Sequence, residues 1–68
     1  MEELGQKIKV ARKQAKKTQD DVAKEIGTTK AVISNYETGK RDVSSKVLFK
    51  MAAFFGAEFN GDFIFKKK

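Results

Sequence analysis

The sequence predicts an all-α domain of four short helices that is followed by a short C-terminal β-strand. Apolar residues recur at helical spacing in four segments, near residues 2–16, 19–26, 29–37 and 45–55. Thr or Ser residues suited to N-caps precede the last three segments, and a glycine suited to a C-cap follows each of them. Residues 57–65 change character and are rich in phenylalanine, which favours a strand.

The first helix is predicted over residues 2–16. Its apolar residues recur at i, i+4, i+7 and i+11 and form a narrow stripe: Leu4, Ile8, Ala11 and Ala15. Two glutamates at the start of this segment and two lysines at its end suit the helix dipole. Val10 lies off the stripe, and we expect its side chain to be exposed.

The second and third helices are predicted to meet across a tight turn. Thr18 is suited to be the N-cap of the second helix, with Asp21 as the acidic partner of a capping box. Gly27 can adopt the positive φ that ends a helix abruptly, and Thr29 can cap the helix that follows. Because the turn is short, a small residue is needed where the two helices approach each other, and Ala23 supplies it.

This pattern resembles the helix-turn-helix of the lambda-repressor-like, Cro-type (XRE) family of DNA-binding proteins. The matching positions have fixed spacing: Gln19, Ala23, Gly27, Ile33 and Tyr36. The surrounding segments TQDDVAKEIG and ISNYETGKR fit the family too, and the resemblance covers roughly residues 4–56. It implies a compact four-helix domain in which residues 29–37 form the DNA recognition helix. The alternative is a generic helical hairpin that ends at a glycine.

The resemblance also implies two classes of DNA contact. The residues near the N-terminal end of the recognition helix are predicted to meet base edges in the major groove: Thr29, Lys30, Ala31 and Ser34. The predicted phosphate-contacting residues are Gln19, Asn35, Lys40 and Arg41. Each base-contacting position has the alternative of being a solvated helix residue, and Asn35 has the alternative of satisfying a local backbone group.

A structural salt bridge is predicted between Arg12 and Glu37. Glu37 lies beside the inward-facing Ile33 and Tyr36, which is a poor place for an unpaired carboxylate. In the resembling family, an Arg at the position of Arg12 pairs with a Glu at the position of Glu37. The alternative is two unrelated surface charges.

The composition favours a polyanionic partner. Lys and Arg total 15 against 9 acidic residues, which gives a formal net charge of +6, with clusters in the first helix, at 40–41 and at 66–68. This balance suits nucleic acid first and an anionic membrane second. The chain has no Cys and no His, no phosphate-cradling glycine motif and no apolar run near ~20 residues. We therefore expect no enzyme activity, no cofactor, no metal site and no membrane segment, and we expect a soluble cytoplasmic protein.

The C-terminal residues are predicted to form a separate dimerisation segment, 57–68, after a DNA-binding domain of residues 1–56. Asn60-Gly61 is a hairpin signal, but strands this short are marginal alone. The favoured hypothesis is a strand that pairs with its copy in a second subunit. The predicted dimer interface comprises Phe59, Phe63, Ile64 and Phe65. The alternatives are a hairpin within the chain and a frayed tail whose phenylalanines cover the monomer core.

The function expected from these features is sequence-specific binding of double-stranded DNA by a transcriptional regulator. We expect it to be a repressor that acts as a homodimer on a palindromic operator. One alternative is the antitoxin of a toxin–antitoxin pair, with a protein toxin as a second partner. Another is a protein-interaction adaptor that does not contact DNA bases.

Overall fold

Four helices and a small two-stranded sheet follow one another along the chain. The structure, a computed structural model, describes the backbone of residues 2–65 and the side chains of residues 4–65. The elements are α1 (Glu2–Gln14), α2 (Gln19–Ile26), α3 (Lys30–Thr38), α4 (Ser45–Phe55), β1 (Ala57–Phe59) and β2 (Phe63–Phe65). The predicted four-helix fold with a C-terminal strand region is confirmed. The predicted cation cluster at 66–68 and the glutamate side chains at 2–3 lie outside the described residues.

The predicted helix caps set the boundaries of α2, α3 and α4. The Thr18 side chain accepts a hydrogen bond from the backbone N–H of Asp21, and the Asp21 carboxylate accepts one from the backbone N–H of Thr18. Hydrogen bonds that the Asp21 carboxylate accepts, first from the Thr18 backbone N–H and then from the Thr18 side chain, lower the pKa of Asp21. Thr29 and Ser44 cap α3 and α4 in the same extended conformation.

Helix α1 ends at Gln14, two residues before its predicted end at 16. Lys16 adopts the left-handed conformation with φ 60°, although it is not a glycine. The backbone N–H of Lys16 donates to the Lys13 carbonyl at 3.0 Å, and that of Lys17 donates to the Arg12 carbonyl at 3.1 Å. This is the hydrogen-bond pattern of a Schellman cap. Because the sequence has no Gly or Asn at this turn, the prediction extended the helix too far.

The core lies where the four helices meet. Each helix contributes one side chain that is fully buried: Ile8, Val22, Ile33 and Met51. Ala23 is 1% exposed, as expected for a small residue at the α2–α3 approach. Val10 is 54% exposed, which confirms its predicted position off the apolar stripe.

Helix α1 lies close to the C-terminal half of α3 at Gly5, which is buried. A Cβ at this position would lie 2.5 Å from the main-chain carbonyl oxygens of Tyr36 and Glu37. The two helices can therefore pack at this distance only because Gly5 has no side chain.

The C-terminal strands pair with each other in one chain, in an antiparallel hairpin with Phe59 opposite Phe63. Gly61 has φ 79° in the turn, which fits the Asn60-Gly61 hairpin signal. The Phe63 ring centroid lies 5.7 Å from that of Phe55 on α4, and 4.9 Å from that of Phe59. The favoured expectation, a strand that pairs with its copy in a second subunit, therefore needs correction: the two strands pair within one chain.

The reason for this correction is that α4 already covers the phenylalanine face of the hairpin. Phe59, Phe63 and Phe65 are partly buried against the core of their own chain. Ile64 points to the opposite face and is 49% exposed. Ile64 is therefore the one predicted interface residue that is well exposed to a second copy. The dimer itself stays a prediction.

Candidate nucleic-acid interface

The short turn between α2 and α3 fixes the relative orientation of the two helices. Gly27 ends α2 with φ 87°, and the backbone N–H of Thr28 donates to the Ala23 carbonyl at 2.8 Å. The Thr29 hydroxyl then accepts from the backbone N–H of Val32 at 3.4 Å and begins α3. The turn is therefore hydrogen-bonded at both ends, and the N-terminal end of α3 projects from it.

The exposed side of α3 carries the residues that were predicted to contact bases. Thr29, Lys30 and Ala31 are exposed, whereas Ser34 is half-buried. Ile33 lies on the opposite side of the same helix and is fully buried. The burial of Ile33 fixes the rotation of α3, so that its N-terminal polar residues face away from the core.

The turn after α3 positions two cations. Gly39 ends the helix with φ 80°. The backbone N–H groups of Lys40 and Arg41 both donate to the Asn35 carbonyl, at 2.9 and 3.2 Å. Both side chains are exposed, so the turn presents two positive charges at the C-terminal end of α3.

A charged cluster ties α1, α2 and α3 together behind this surface. Arg12 donates through Nε to one Glu37 carboxylate oxygen at 2.7 Å, and through Nη2 to the other at 3.4 Å. The Glu37 side chain is 3% exposed and that of Arg12 is 12% exposed. The Arg12 guanidinium also donates to the Lys17 carbonyl at 2.9 Å, which satisfies a backbone group just after α1. The structure thus brings the two predicted salt-bridge partners together.

Gln19 joins the same cluster from the first residue of α2. Its side-chain Nε2 donates to the Glu37 carboxylate at 3.0 Å. Glu37 therefore accepts hydrogen bonds from two helices while lying on a third. The predicted phosphate contact of Gln19 would use the second N–H of the same amide nitrogen.

Comparisons with known proteins agree with this geometry. The family described as "Helix-turn-helix" matches residues 8–60 of the chain. A protein of Methanocaldococcus jannaschii, named as an uncharacterized HTH-type transcriptional regulator, is 40% identical over 60 residues, which span 88% of this chain and 91% of that protein. The chain belongs to the helix-turn-helix family. The predicted membership of the XRE type is confirmed.

The helix-turn-helix of this protein consists of α2, the turn at Gly27 and α3. Of the four predicted base-contacting residues, Thr29, Lys30 and Ala31 lie exposed at its N-terminal α3 end. Ser34 lies half-buried about one turn further along α3. The predicted phosphate-contacting residues are divided between the start of α2, with Gln19, and the C-terminal part of α3 with its following turn. The Thr29 hydroxyl oxygen already accepts the capping hydrogen bond from the Val32 N–H, which reduces its capacity to accept one from a base.

A polar depression beside the helix-turn-helix contains three residues to which the sequence analysis assigns no site role: Gln6, Lys9 and Thr38. The depression has a volume of about 400 Å³ and lies between α1, α2 and α3. Its lining residues are Gln6, Lys9, Gln19, Ser34, Glu37 and Thr38. Gln6 and Lys9 are one turn apart on α1. Their i, i+3 spacing could have predicted that they lie together, because it places both side chains on one helix face beside the buried stripe.

Within residues 2–65, none of the helices has the length and apolar character needed to cross a bilayer. In the same residues, no group of acidic side chains is arranged to hold a metal ion.

Proposed function

We propose that this protein is a transcriptional regulator that binds duplex DNA with sequence specificity and acts as a repressor by covering a promoter. The observation that carries the proposal is the accessible N-terminal edge of α3, which the buried Ile33 and the capped turn hold away from the core. The net charge of +6 supports a polyanionic ligand. The relative from Methanocaldococcus jannaschii is named as a transcriptional regulator.

In this proposal α3 enters the major groove with its N-terminal end toward the bases. Lys30 donates to guanine O6 or N7, and Ala31 contacts a thymine methyl group. Ser34 can donate to or accept from a base edge near the depression. None of these side chains is a large bidentate donor, so we expect modest direct discrimination per half-site and a contribution from DNA shape.

The phosphate contacts set affinity and register rather than sequence preference. Lys40 and Arg41 are exposed in a turn whose backbone is fixed by Asn35. Gln19 lies at the N-terminal end of α2, where the helix dipole favours an anion. Together these groups would hold the duplex on both sides of the recognition helix.

We further propose that the protein binds its operator as a homodimer. Two copies related by a two-fold axis would place their recognition helices in successive major grooves, about 34–36 Å apart. An exposed apolar side chain on the hairpin favours a protein contact there, because Ile64 is 49% exposed. Because α4 covers the phenylalanine face of the hairpin, the contact would use the outer face that carries Ile64.

Selection of bound sites from a pool of random duplexes tests this function. The wild-type protein should enrich a palindrome whose half-sites lie about one helical turn apart. Lys30→Ala should relax the preference at one position of each half-site, at a cost of about 1–3 kcal/mol for the preferred base. Lys40→Ala removes the same charge and should weaken all sites alike, which makes it the matched control. Failure of the wild-type protein to enrich any sequence would overturn the proposal.

A further inference from the structure

We infer that the polar depression between α1, α2 and α3 is a binding site for a backbone phosphate of duplex DNA. Lys9 and Gln6 of α1 would bind the phosphate together with Gln19 of α2, and Glu37 would act as the positioning residue for Gln19. This inference rests on the proposed function, because it extends the DNA contact from the helix-turn-helix to α1. All four residues line the same depression.

Glu37 determines which way the Gln19 amide faces. An ionised carboxylate only accepts hydrogen bonds, so the nitrogen of the Gln19 amide must face Glu37 rather than its oxygen. The distance of 3.0 Å from Gln19 Nε2 to the Glu37 carboxylate agrees with this orientation. One N–H of the amide is used in this way. The second N–H stays on the side of the depression, where a phosphate oxygen can accept it.

The negative charge of Glu37 does not repel an anion from the depression, because Arg12 offsets it. The Arg12 Nε lies 2.7 Å from a Glu37 carboxylate oxygen, and both side chains are nearly excluded from solvent. Lys9 then adds a positive charge at the rim. The lining of the depression carries one cation, Lys9, and one carboxylate, Glu37. Arg12 lies outside the lining and pairs with Glu37, so the three groups together carry one positive charge.

Lys9 differs from its neighbour Lys7 on the same helix. The Lys7 ammonium donates to the Gly61 carbonyl at 3.1 Å and lies 3.0 Å from the Asp62 carboxylate, so it holds the hairpin turn against α1. Lys9 is exposed at the depression on the side of the helix-turn-helix. Lys7 therefore contacts the hairpin, whereas Lys9 lies at the depression and can contact DNA.

The salt dependence of duplex binding tests the role of Lys9. Loss of one cation–phosphate contact reduces the magnitude of the slope of log K against log salt by about 0.9 for each protomer bound. Lys9→Ala should show this change and weaken binding roughly tenfold per protomer at 0.1 M salt. Lys50→Ala, on α4 and outside the depression, removes the same charge and should leave the slope unchanged. Gln6→Lys should steepen the slope by a similar amount.

Three outcomes would each be decisive. A wild-type protein without salt-dependent duplex binding contradicts the proposed function itself. A steep wild-type slope that Lys9→Ala leaves unchanged contradicts only the present inference. Gln19→Ala should weaken binding with an unchanged slope, and its effect should be smaller when Lys9→Ala is already present, because both side chains hold one phosphate. Strict additivity of the two substitutions would exclude a shared phosphate.

A free phosphate ion has the same chemistry, and a second titration separates it from DNA. The side-chain amide signal of Gln19 is followed by NMR on the intact protein. We expect it to shift when a duplex is added and to stay in place when inorganic phosphate is added at matched ionic strength. A saturating shift with inorganic phosphate would assign the depression to a free anion and overturn the inference.

Discussion

Replacing Glu37 by alanine is expected to lower the free energy of unfolding by about 3–5 kcal/mol, because it leaves the charge of Arg12 unpaired in a largely buried position. Glu37 accepts from Arg12 at 2.7 Å and from Gln19 at 3.0 Å, so the substitution also removes a hydrogen bond between α2 and α3. For a domain of this size the melting temperature should fall by at least about 12 °C. Chemical and thermal denaturation measure both quantities.

Glu25→Ala is the matched control for this substitution. Glu25 is an exposed glutamate on α2, so its replacement should change the unfolding free energy by no more than about 0.5 kcal/mol. The double variant Arg12→Met/Glu37→Leu removes both charges and should be less destabilised than Glu37→Ala alone. If Glu37→Ala were as stable as Glu25→Ala, the buried salt bridge would have no structural role.

Gly5→Ala should destabilise the protein by about 1–3 kcal/mol, although the same change in an exposed helix stabilises by about 0.5–1 kcal/mol. The sign is reversed because the added Cβ would lie 2.5 Å from two backbone carbonyl oxygens of α3. Backbone atoms cannot turn aside as a flexible side chain can, so α1 must move away from α3. Urea denaturation of the variant gives the change in free energy.

Val10→Ala on the same helix separates the steric effect from helix propensity. Val10 is 54% exposed, so its replacement should leave the free energy of unfolding within about 0.5 kcal/mol of wild type. A Gly5→Ala variant that is more stable than wild type would show that α1 and α3 do not approach as closely as the structure indicates.

The helix-turn-helix could be predicted from the sequence because local chemistry specifies it. Thr18 and Thr29 supply side-chain oxygens for the first N–H groups of their helices, and Gly27 supplies the positive φ of the turn. The end of α1 was predicted wrongly because Lys16 adopts a left-handed conformation that its residue type disfavours. The tertiary structure, rather than the local sequence, selects that conformation.

The features that escaped prediction depend on contacts between distant parts of the chain. The requirement for glycine at position 5 follows from the approach of α1 to α3, which no local pattern encodes. The phenylalanines of the hairpin could pack against either α4 or a second subunit. The alternation of side chains along the strands does not distinguish these two arrangements. The polar depression combines residues of three helices, so Gln6 and Lys9 gain a shared role only after the chain folds.

The central claim, that the edge of α3 and its flanking cations bind duplex DNA, is tested most directly by one salt titration. The intact protein is titrated into a labelled selected duplex at several salt concentrations between 50 and 200 mM. Lys40 and Arg41 in both protomers give four cation–phosphate contacts and a predicted log–log slope of about −3.6, and Lys9 extends it to about −5.4. A flat slope, with micromolar or weaker binding to every duplex, would contradict the account.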